Sequence, residues 1–273
     1  MSTIDIMPNR LGEAETADLK RAIGYLEGSS FAQRITDTVG RPLGALTRGL
    51  PFPARRLVAD ASERALRAAF KLALRTIDLR SAANSAAGAH KLAAAASGAI
   101  GGAFGLAALP VELPVSTAIL LRSIAEIARE EGEDLAAPQA AVACLEVFAL
   151  GGKEEEEAGF ESGYFAVRAA LAKTVTDSAR FVAAQGVGAQ SAPVVVRLLS
   201  QIAARFGLIV SEKVAAQTAP ILGALGGAAV NAAFADHFQT LARGHFIVRR
   251  LERLHGSSLV AFEYQRLRGE ARA

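Results

Sequence analysis

The chain has 273 residues, of which 51% are hydrophobic and only 6% aromatic, with no tryptophan and one cysteine, Cys144. A single cysteine excludes an internal disulfide framework and any metal site that needs several cysteines. The formal net charge is only +3, and the basic residues accompany neither aromatic residues nor a recognisable motif, so we expect no nucleic-acid partner.

The length and the helical patterning predict an all-α fold, a multi-helix bundle of close-packed Ala/Gly-rich hairpins. Residues 1–55 are expected to form a helical N-terminal extension, with helices at Ala14–Glu27 and Ser30–Val39 and a Gly/Pro/Arg-rich connector from Gly40. Residues 56–273 are expected to form the main helical domain. The N-terminus has no basic region followed by an apolar run, so we expect a cytoplasmic protein, free or peripheral at the inner face of the plasma membrane.

An amphipathic helix with a basic side is predicted from Asp60 onward. Its apolar side carries residues at helical spacing, namely Leu66, Phe70, Ala73 and Ile77. The opposite side carries Arg64, Arg67, Lys71, Arg75 and Asp78. Such a basic side is typical either of a solvated outer face or of a surface that meets anionic lipid headgroups.

The segment Leu92–Leu121 is the most apolar of the chain, and its one charged residue is Glu112, in the sequence PVELP. Pro110 and Pro114 predict an interruption or kink, followed by a helix that runs to about Gly132. A buried carboxylate is costly unless it is paired, so we expect Glu112 to meet Arg122, a late arginine or a histidine, or to take up a proton. In the structural interpretation this contact locks two close-packed hairpins together.

The remaining helices follow from caps and periodicity. One is expected to be capped by Asp134, to have Pro138 in its first turn and to end at Gly151 and Gly152. The others are predicted at Tyr164–Ala184, Pro193–Phe206 and Leu208–Thr218, and then as one long helix or a kinked pair up to Gly256.

Val214–Ala235 contains 22 residues without a charge, which is long enough to cross a membrane. Alanine and glycine are weak membrane anchors, and the stretch also contains Gln217, Asn231 and a proline. A buried core hairpin, reversible membrane insertion and a stable transmembrane span are all compatible with this sequence.

Known catalytic and phosphate-binding motifs are absent from the sequence, and no cofactor is expected. His237 and His245 are eight residues apart, which rotates them by about 80° on a helix, so no metal site is predicted. What stands out is a set of polar residues within apolar helices: Glu112, Arg122, Glu126, Asn231, His237, Arg243, His245, Arg249 and Arg250. Arg122 and Glu126 are four residues apart and are expected to pair.

Two blocks of the sequence resemble the signature blocks of the EcsC protein family. In the first, a Pro-x-Glu-Leu-Pro motif is followed by Arg122 and Glu126. The second contains, in order, Asn231, Phe238, Arg243, His245, Phe246 and Arg249. The resemblance covers roughly Asp60–Tyr264 and implies a helical bacterial protein, cytoplasmic or membrane-peripheral. The family name comes from an operon that also encodes an ABC transporter, which implies a link to such a partner but no agreed activity.

Two main functions are compatible with these features, and a third possibility, a purely structural adaptor, differs from the first only in that it does not bind lipid. The first is a non-enzymatic, membrane-peripheral protein that binds anionic lipid or a membrane protein and is linked to transport or secretion. Its basic faces would be Arg55, Arg56, Arg64, Arg67, Lys71 and Arg75 on one side, and Arg243, Arg249, Arg250 and Arg253 on another.

The alternative function is a hydrolase or transferase that acts on a lipid or a phosphate ester. Glu112 would be the general base, His245 or His237 the acid, and Arg122 with Arg249 an anion clamp. This mechanism requires a pocket that joins Glu112 to the late helix.

Overall fold

A computed structural model describes residues 10–39, 50–76, 108–151, 163–185, 191–218 and 223–272. Within these ranges the chain forms nine α-helices and no strand, which confirms the all-α fold. The helices are α1 (Glu13–Leu26), α2 (Phe31–Val39), α3 (Phe52–Thr76), α4 (Leu109–Glu130), α5 (Pro138–Leu150), α6 (Tyr164–Gln185), α7 (Pro193–Thr218), α8 (Gly223–His255) and α9 (Ser257–Arg272).

Helix boundaries depart from the sequence-based predictions at three places. α3 begins at Phe52, so the last residues of the predicted connector are already helical. α7 continues through Gly207, because buried neighbours such as Phe206 and Ile209 hold the turn and outweigh the helix cost of one glycine, about 1 kcal/mol. Asp134 does not cap α5: its Oδ1 accepts from the Ala136 N–H at 3.0 Å, in the turn before the helix.

The long segment after residue 222 is one helix up to His255, followed by a break. Gly256 has a φ of 86°, a left-handed conformation that glycine adopts without steric cost. α9 therefore starts anew at Ser257 and folds back against α8 and α1.

α8 is the central helix of the bundle. It packs against α1, α2, α4, α5, α7 and α9. The middle of the core is an aromatic cluster of Phe148, Phe206, Phe234 and Phe238, whose ring centroids lie 5.1–6.1 Å apart. Each such pair stabilises the folded protein by about 0.5–1.5 kcal/mol beyond the contribution of its buried surface.

Two hydrogen bonds show that α4 and α8 run in the same direction. Glu112 bonds to Asn231 near the start of both helices, and Ser123 bonds to Gln239 further along both. α7 runs the opposite way, because its late residue Lys213 reaches Glu112. The start of α4, the end of α7 and the start of α8 therefore lie at one end of the bundle.

α3 is also antiparallel to α7. Ser62 lies opposite Gly207, whereas the later residue Phe70 shares a cleft with the earlier residue Leu199. The start of α3 consequently lies at the same end of the bundle as the start of α4.

The described parts of the uncharged stretch are mostly inside the protein. Val214, Ala216, Val230 and Phe234 are all buried. Among the residues that the structure describes, one helical segment, Pro193–Gln217, is long and apolar enough to cross a membrane by length and composition, and 44% of its most apolar stretch is buried. Packing in the core accounts for that composition equally well.

Candidate functional site

Glu112 lies in the first turn of a helix. α4 begins at Leu109 and continues through Pro114, so PVELP is helical and the predicted interruption is wrong at Pro114. Proline is tolerated at Pro110 because the first N–H groups of a helix have no intrahelical acceptor, and Pro114 removes only one bond. The carboxylate is also favoured by the partial positive charge of the helix N-terminus.

The described partners of Glu112 are Lys213 and Asn231. Lys213 Nζ donates to Glu112 Oε1 at 2.7 Å, and Asn231 Nδ2 donates to the same oxygen at 3.3 Å. Glu112 is only 7% exposed and Lys213 is fully buried. The expectation that Glu112 is paired is therefore confirmed, but the predicted partners, Arg122, a late arginine or a histidine, were wrong.

Lys213 is the site residue that the sequence analysis missed. It belongs to a buried stripe of α7, in which Ile202, Phe206, Ile209 and Ala216 recur at helical spacing. A lysine within such a stripe has to find an acceptor inside the protein, and this signal was present in the sequence. Burial lowers the pKa of Lys213, and the neighbouring Glu112 carboxylate partly opposes that effect.

Two further polar atoms lie buried around this pair without a hydrogen-bond partner in the described part of the chain. They are Asn231 Oδ1 and Gln217 Nε2, the latter one turn beyond Lys213 on α7. The Lys213 ammonium also lies 4.8 Å from the centroid of the Phe234 ring, a cation-π contact. With its charge compensated and its surface covered, Glu112 is arranged as a lock between α4, α7 and α8.

Arg122 and Glu126 form the predicted i, i+4 pair, but at the surface. Arg122 Nε lies 3.9 Å from Glu126 Oε1, and the Arg122 side chain is 44% exposed. A pair of this kind contributes little to stability. The described contacts thus leave Arg122 outside the Glu112 cluster.

His245 lies in a second buried cluster. Its Nδ1 is 2.9 Å from Tyr164 Oη, and its Nε2 is 4.0 Å from Glu146 Oε2. Burial lowers the pKa of His245 well below its ordinary value, and Arg168 and Arg249 lower it further. Burial raises the pKa of Glu146, against the opposing effect of the same two arginines.

His237 is buried elsewhere on α8. Its ring packs against Phe31 and Phe238, with centroids 5.7 and 5.3 Å away. Its Nε2 also lies close to Gly151 at the end of α5. His237 also lines a small cavity together with polar residues such as Ser30, Arg34 and Thr240.

The late arginines are engaged with acidic residues of the same chain. Arg249 makes two bonds to Glu133, at 2.8 and 3.3 Å. Arg250 bonds to Glu131 at 2.8 Å and to Asp18 at 2.7 Å, and Arg253 also pairs with Glu133. The second predicted basic face is therefore largely neutralised, because these acidic side chains compensate its charge.

Arg243 differs from these arginines. It is exposed on α8, and the described part of the chain provides no partner for it.

The polar residues singled out in the sequence thus fall into separate places. Asn231 and His245 are 14 residues apart on α8, which corresponds to about 21 Å along the helix. Glu112, which bonds to Asn231, and His245 consequently do not meet in one site. Among the described residues, no group of three or more His, Cys, Asp or Glu is placed to hold a metal ion.

The α3 basic face comprises Arg56, Arg64, Arg67 and Lys71, all of them exposed. Arg67 pairs with Glu63 at 2.5 Å. The other three have no partner within the described ranges. Arg55, predicted for the same face, donates to the Leu50 carbonyl at 3.0 Å. Ile77, Asp78 and the side chain of Arg75 lie outside what the structure describes.

The sequence pattern of the EcsC protein family matches residues 22–251. The chain belongs to the EcsC protein family. The match begins within α1, earlier than the Asp60 at which the resemblance was expected to start, and ends in α8. It includes the Glu112 cluster, the His245 cluster and the α3 basic face. Comparison with curated proteins and with solved structures found no match.

The neutral, buried His245 makes the stability of this EcsC-family protein depend on pH. Below about pH 6.5 the unfolded chain binds a proton at this histidine while the folded protein does not, so acid favours unfolding. The loss is up to about 1.4 kcal/mol per pH unit until the lowered pKa of the folded state is reached. The pKa of Glu146 is raised, so its protonation makes stability change with pH in the opposite direction. Glu146 is present in both wild type and a His245 variant, so its contribution cancels when the two proteins are compared.

We therefore expect the stability difference between wild type and His245→Gln to shrink as the pH falls from about 6.5. Urea unfolding of both proteins across the acid range measures it. A difference that stays constant with pH would contradict a histidine held neutral by its burial and by the nearby Arg168 and Arg249.

Proposed function

We propose that this EcsC-family protein is membrane-peripheral and binds anionic lipid through the α3 basic face, without catalysing a reaction. The observation that carries the proposal is the contrast between two sets of basic residues. Those near the end of α8 are compensated by Glu131, Glu133 and Asp18, whereas Arg56, Arg64 and Lys71 are exposed and unpaired within the described ranges. Free cations on one helix face attract anionic headgroups, at about 1 kcal/mol for each residue near the surface.

Apolar side chains accompany this basic face. Phe52 lies one turn before Arg56 on the same side of α3 and is 78% exposed. Val111 and Val115, in the first turns of α4 at the same end of the bundle, are 73% and 49% exposed. Exposed apolar residues beside cations are typical of helices that lie in the membrane interface.

The acidic residues of α3 limit the strength of this attraction. Asp60 and Glu63 belong to the same helix, so its charge over the described side chains is five cations against two anions. Binding is therefore expected to be moderate, reversible and sensitive to salt.

The test is cosedimentation with vesicles that contain phosphatidylglycerol and with neutral vesicles, over a series of salt concentrations. Wild type is expected to bind the anionic vesicles and to be released by salt. The double variant Arg56→Gln/Arg64→Gln should bind roughly 30-fold more weakly, because two cations near the surface are lost. Arg56→Gln alone and Arg243→Gln form a matched pair, since each removes one exposed arginine, from the α3 basic face and from α8 respectively.

Equal binding to neutral and anionic vesicles, or an equal loss in all variants, would contradict the proposal. The vesicles contain no protein, so the assay also separates lipid binding from binding to a membrane protein such as an ABC transporter. Under this proposal the protein works in the cytoplasm, at the inner face of the plasma membrane.

A further inference from the structure

A cleft lies between α3 and α7, beside the α3 basic face. Its volume is about 210 Å³, and its lining residues are Arg67, Ala68, Phe70, Lys71 and Leu199. Phe70 and Leu199 are buried and form its floor, whereas Arg67 and Lys71 are exposed at its rim. The cleft therefore combines an apolar base with two cations.

The two cations are placed to share one anionic group. Arg67 and Lys71 are four residues apart on the same helix, so their side chains start about 6 Å from each other. A phosphate offers several oxygens, which can accept from a guanidinium and an ammonium at the same time.

The present partner of Arg67 is no obstacle to such an anion. Glu63 and Arg67 form a pair with both side chains more than a third exposed, and such pairs contribute little to stability. A phosphate group can therefore displace the Glu63 carboxylate from Arg67 at little cost in free energy.

The size of the cleft limits what it holds. Pockets for drug-sized ligands measure about 300–1,000 Å³, so about 210 Å³ suits a headgroup with the first carbons attached to it. Phe70 and Leu199 at the floor are apolar, like those carbons. Arg67 and Lys71 at the rim are positively charged and complement the negative phosphate.

We propose that this cleft is a specific site for the phosphate of an anionic phospholipid headgroup. Arg67 and Lys71 bind the phosphate oxygens, and Phe70 and Leu199 contact the adjoining carbons. The inference rests on the proposed lipid-binding function and adds a defined site to it.

The deciding variant fills the cleft without changing its charge. Ala68 is small, exposed and part of the lining, so Ala68→Phe occupies the space and leaves Arg67 and Lys71 in place. Ala204→Phe is the matched control, because Ala204 is an exposed alanine of α7 that does not line the cleft. Lys71→Gln and Arg56→Gln form a second pair, with equal loss of charge inside and outside the site. Circular dichroism and thermal unfolding establish that each variant is folded.

Binding is measured with phosphatidylglycerol vesicles, with soluble dihexanoyl phosphatidylglycerol and with glycerol phosphate. We expect Lys71→Gln to weaken binding of the first two about tenfold, the size of a lost charge-assisted hydrogen bond. Ala68→Phe should weaken binding of the same two probes at least about tenfold, because it excludes the ligand from the cleft and so prevents its contacts with Arg67 and Lys71. Ala204→Phe should have no effect, and Arg56→Gln should weaken vesicle binding only.

Other outcomes separate the two proposals. If wild type binds vesicles, but Ala68→Phe has no effect and Lys71→Gln equals Arg56→Gln, the attraction is diffuse and the site is overturned while the lipid-binding function stands. If wild type ignores vesicles yet binds glycerol phosphate in a manner that Ala68→Phe abolishes, the site serves a soluble phosphate ester and the membrane function is overturned. Binding of none of the three probes overturns both.

Discussion

Replacing Glu112 with glutamine is expected to destabilise the protein by about 3–5 kcal/mol, the cost of removing one partner from a buried ion pair. Lys213 is fully buried, and Glu112 is its described carboxylate partner. Without that partner the lysine has to remain charged in an apolar environment or lose its proton. Losing the proton at neutral pH costs about 4–5 kcal/mol relative to an ordinary lysine pKa of about 10.4, the same order as keeping the charge.

The partner variant Lys213→Met should be less harmful. Glu112 remains 7% exposed at a helix N-terminus and keeps the hydrogen bond from Asn231, so part of its charge is still compensated. The double variant Glu112→Gln/Lys213→Met leaves no buried charge, so we expect it to be more stable than Glu112→Gln alone.

Urea unfolding of the four proteins at neutral pH measures this coupling. If the two single losses simply add up in the double variant, the pair does not act as a unit, and Glu112 is not the lock described above. This comparison of wild type, two single variants and the double variant requires no ligand.

Gly244→Ala is expected to destabilise the protein by about 1–2 kcal/mol, because overpacking usually costs about 1–3 kcal/mol and alanine regains up to about 1 kcal/mol in helix propensity. A Cβ added at Gly244 would lie 2.7 Å from Leu26 Cγ and 3.1 Å from the Ala22 carbonyl oxygen. The leucine can adjust, but the carbonyl belongs to the backbone of α1, so α1 as a whole has to move away from α8. This steric cost outweighs the gain of about 1 kcal/mol in helix propensity that alanine has over glycine.

Gly24→Ala is the matched control for this prediction. Gly24 is also within a helix, on α1, and nothing lies within 4 Å of an added Cβ. We expect this variant to be as stable as wild type or up to about 1 kcal/mol more stable. Thermal unfolding of both variants, together with limited proteolysis around α1, measures the effects; a Gly244→Ala protein that is as stable as wild type would show that α1 does not pack closely on α8.

Several parts of the fold were predictable because they depend on neighbours in sequence. The helix at Glu13–Leu26 was predicted within one residue, and the preference of proline for the first turn placed Pro138 there, although the predicted cap, Asp134, lies before α5. The pairing of Arg122 with Glu126 likewise follows from i, i+4 geometry alone. In each case the interacting groups are less than two turns apart.

The composition of the Glu112 cluster was only half predictable. A carboxylate in an apolar stretch has to be compensated, so the sequence indicated that Glu112 is paired. The identity of Lys213, 101 residues later, depends on which face of α7 meets the start of α4. The same holds for Arg249 and Arg250, whose charges are compensated by Glu133 and Glu131 across the bundle.

The amino-acid sequence was sufficient to predict that this protein is helical, that it resembles the EcsC family, and that α3 carries cations opposite an apolar side. The helices and the basic side of α3 follow from periodicity and local spacing, which every helix keeps wherever it packs. The family resemblance rests instead on the sequence blocks around Glu112 and His245. Which basic side chains are available to bind a partner molecule could be read only from the tertiary fold. Whether an arginine is free depends on the acidic residues brought against it by packing, and those lie far away in the chain: Arg250 meets Asp18 over 232 residues, while Arg64 meets no partner in the described part of the protein.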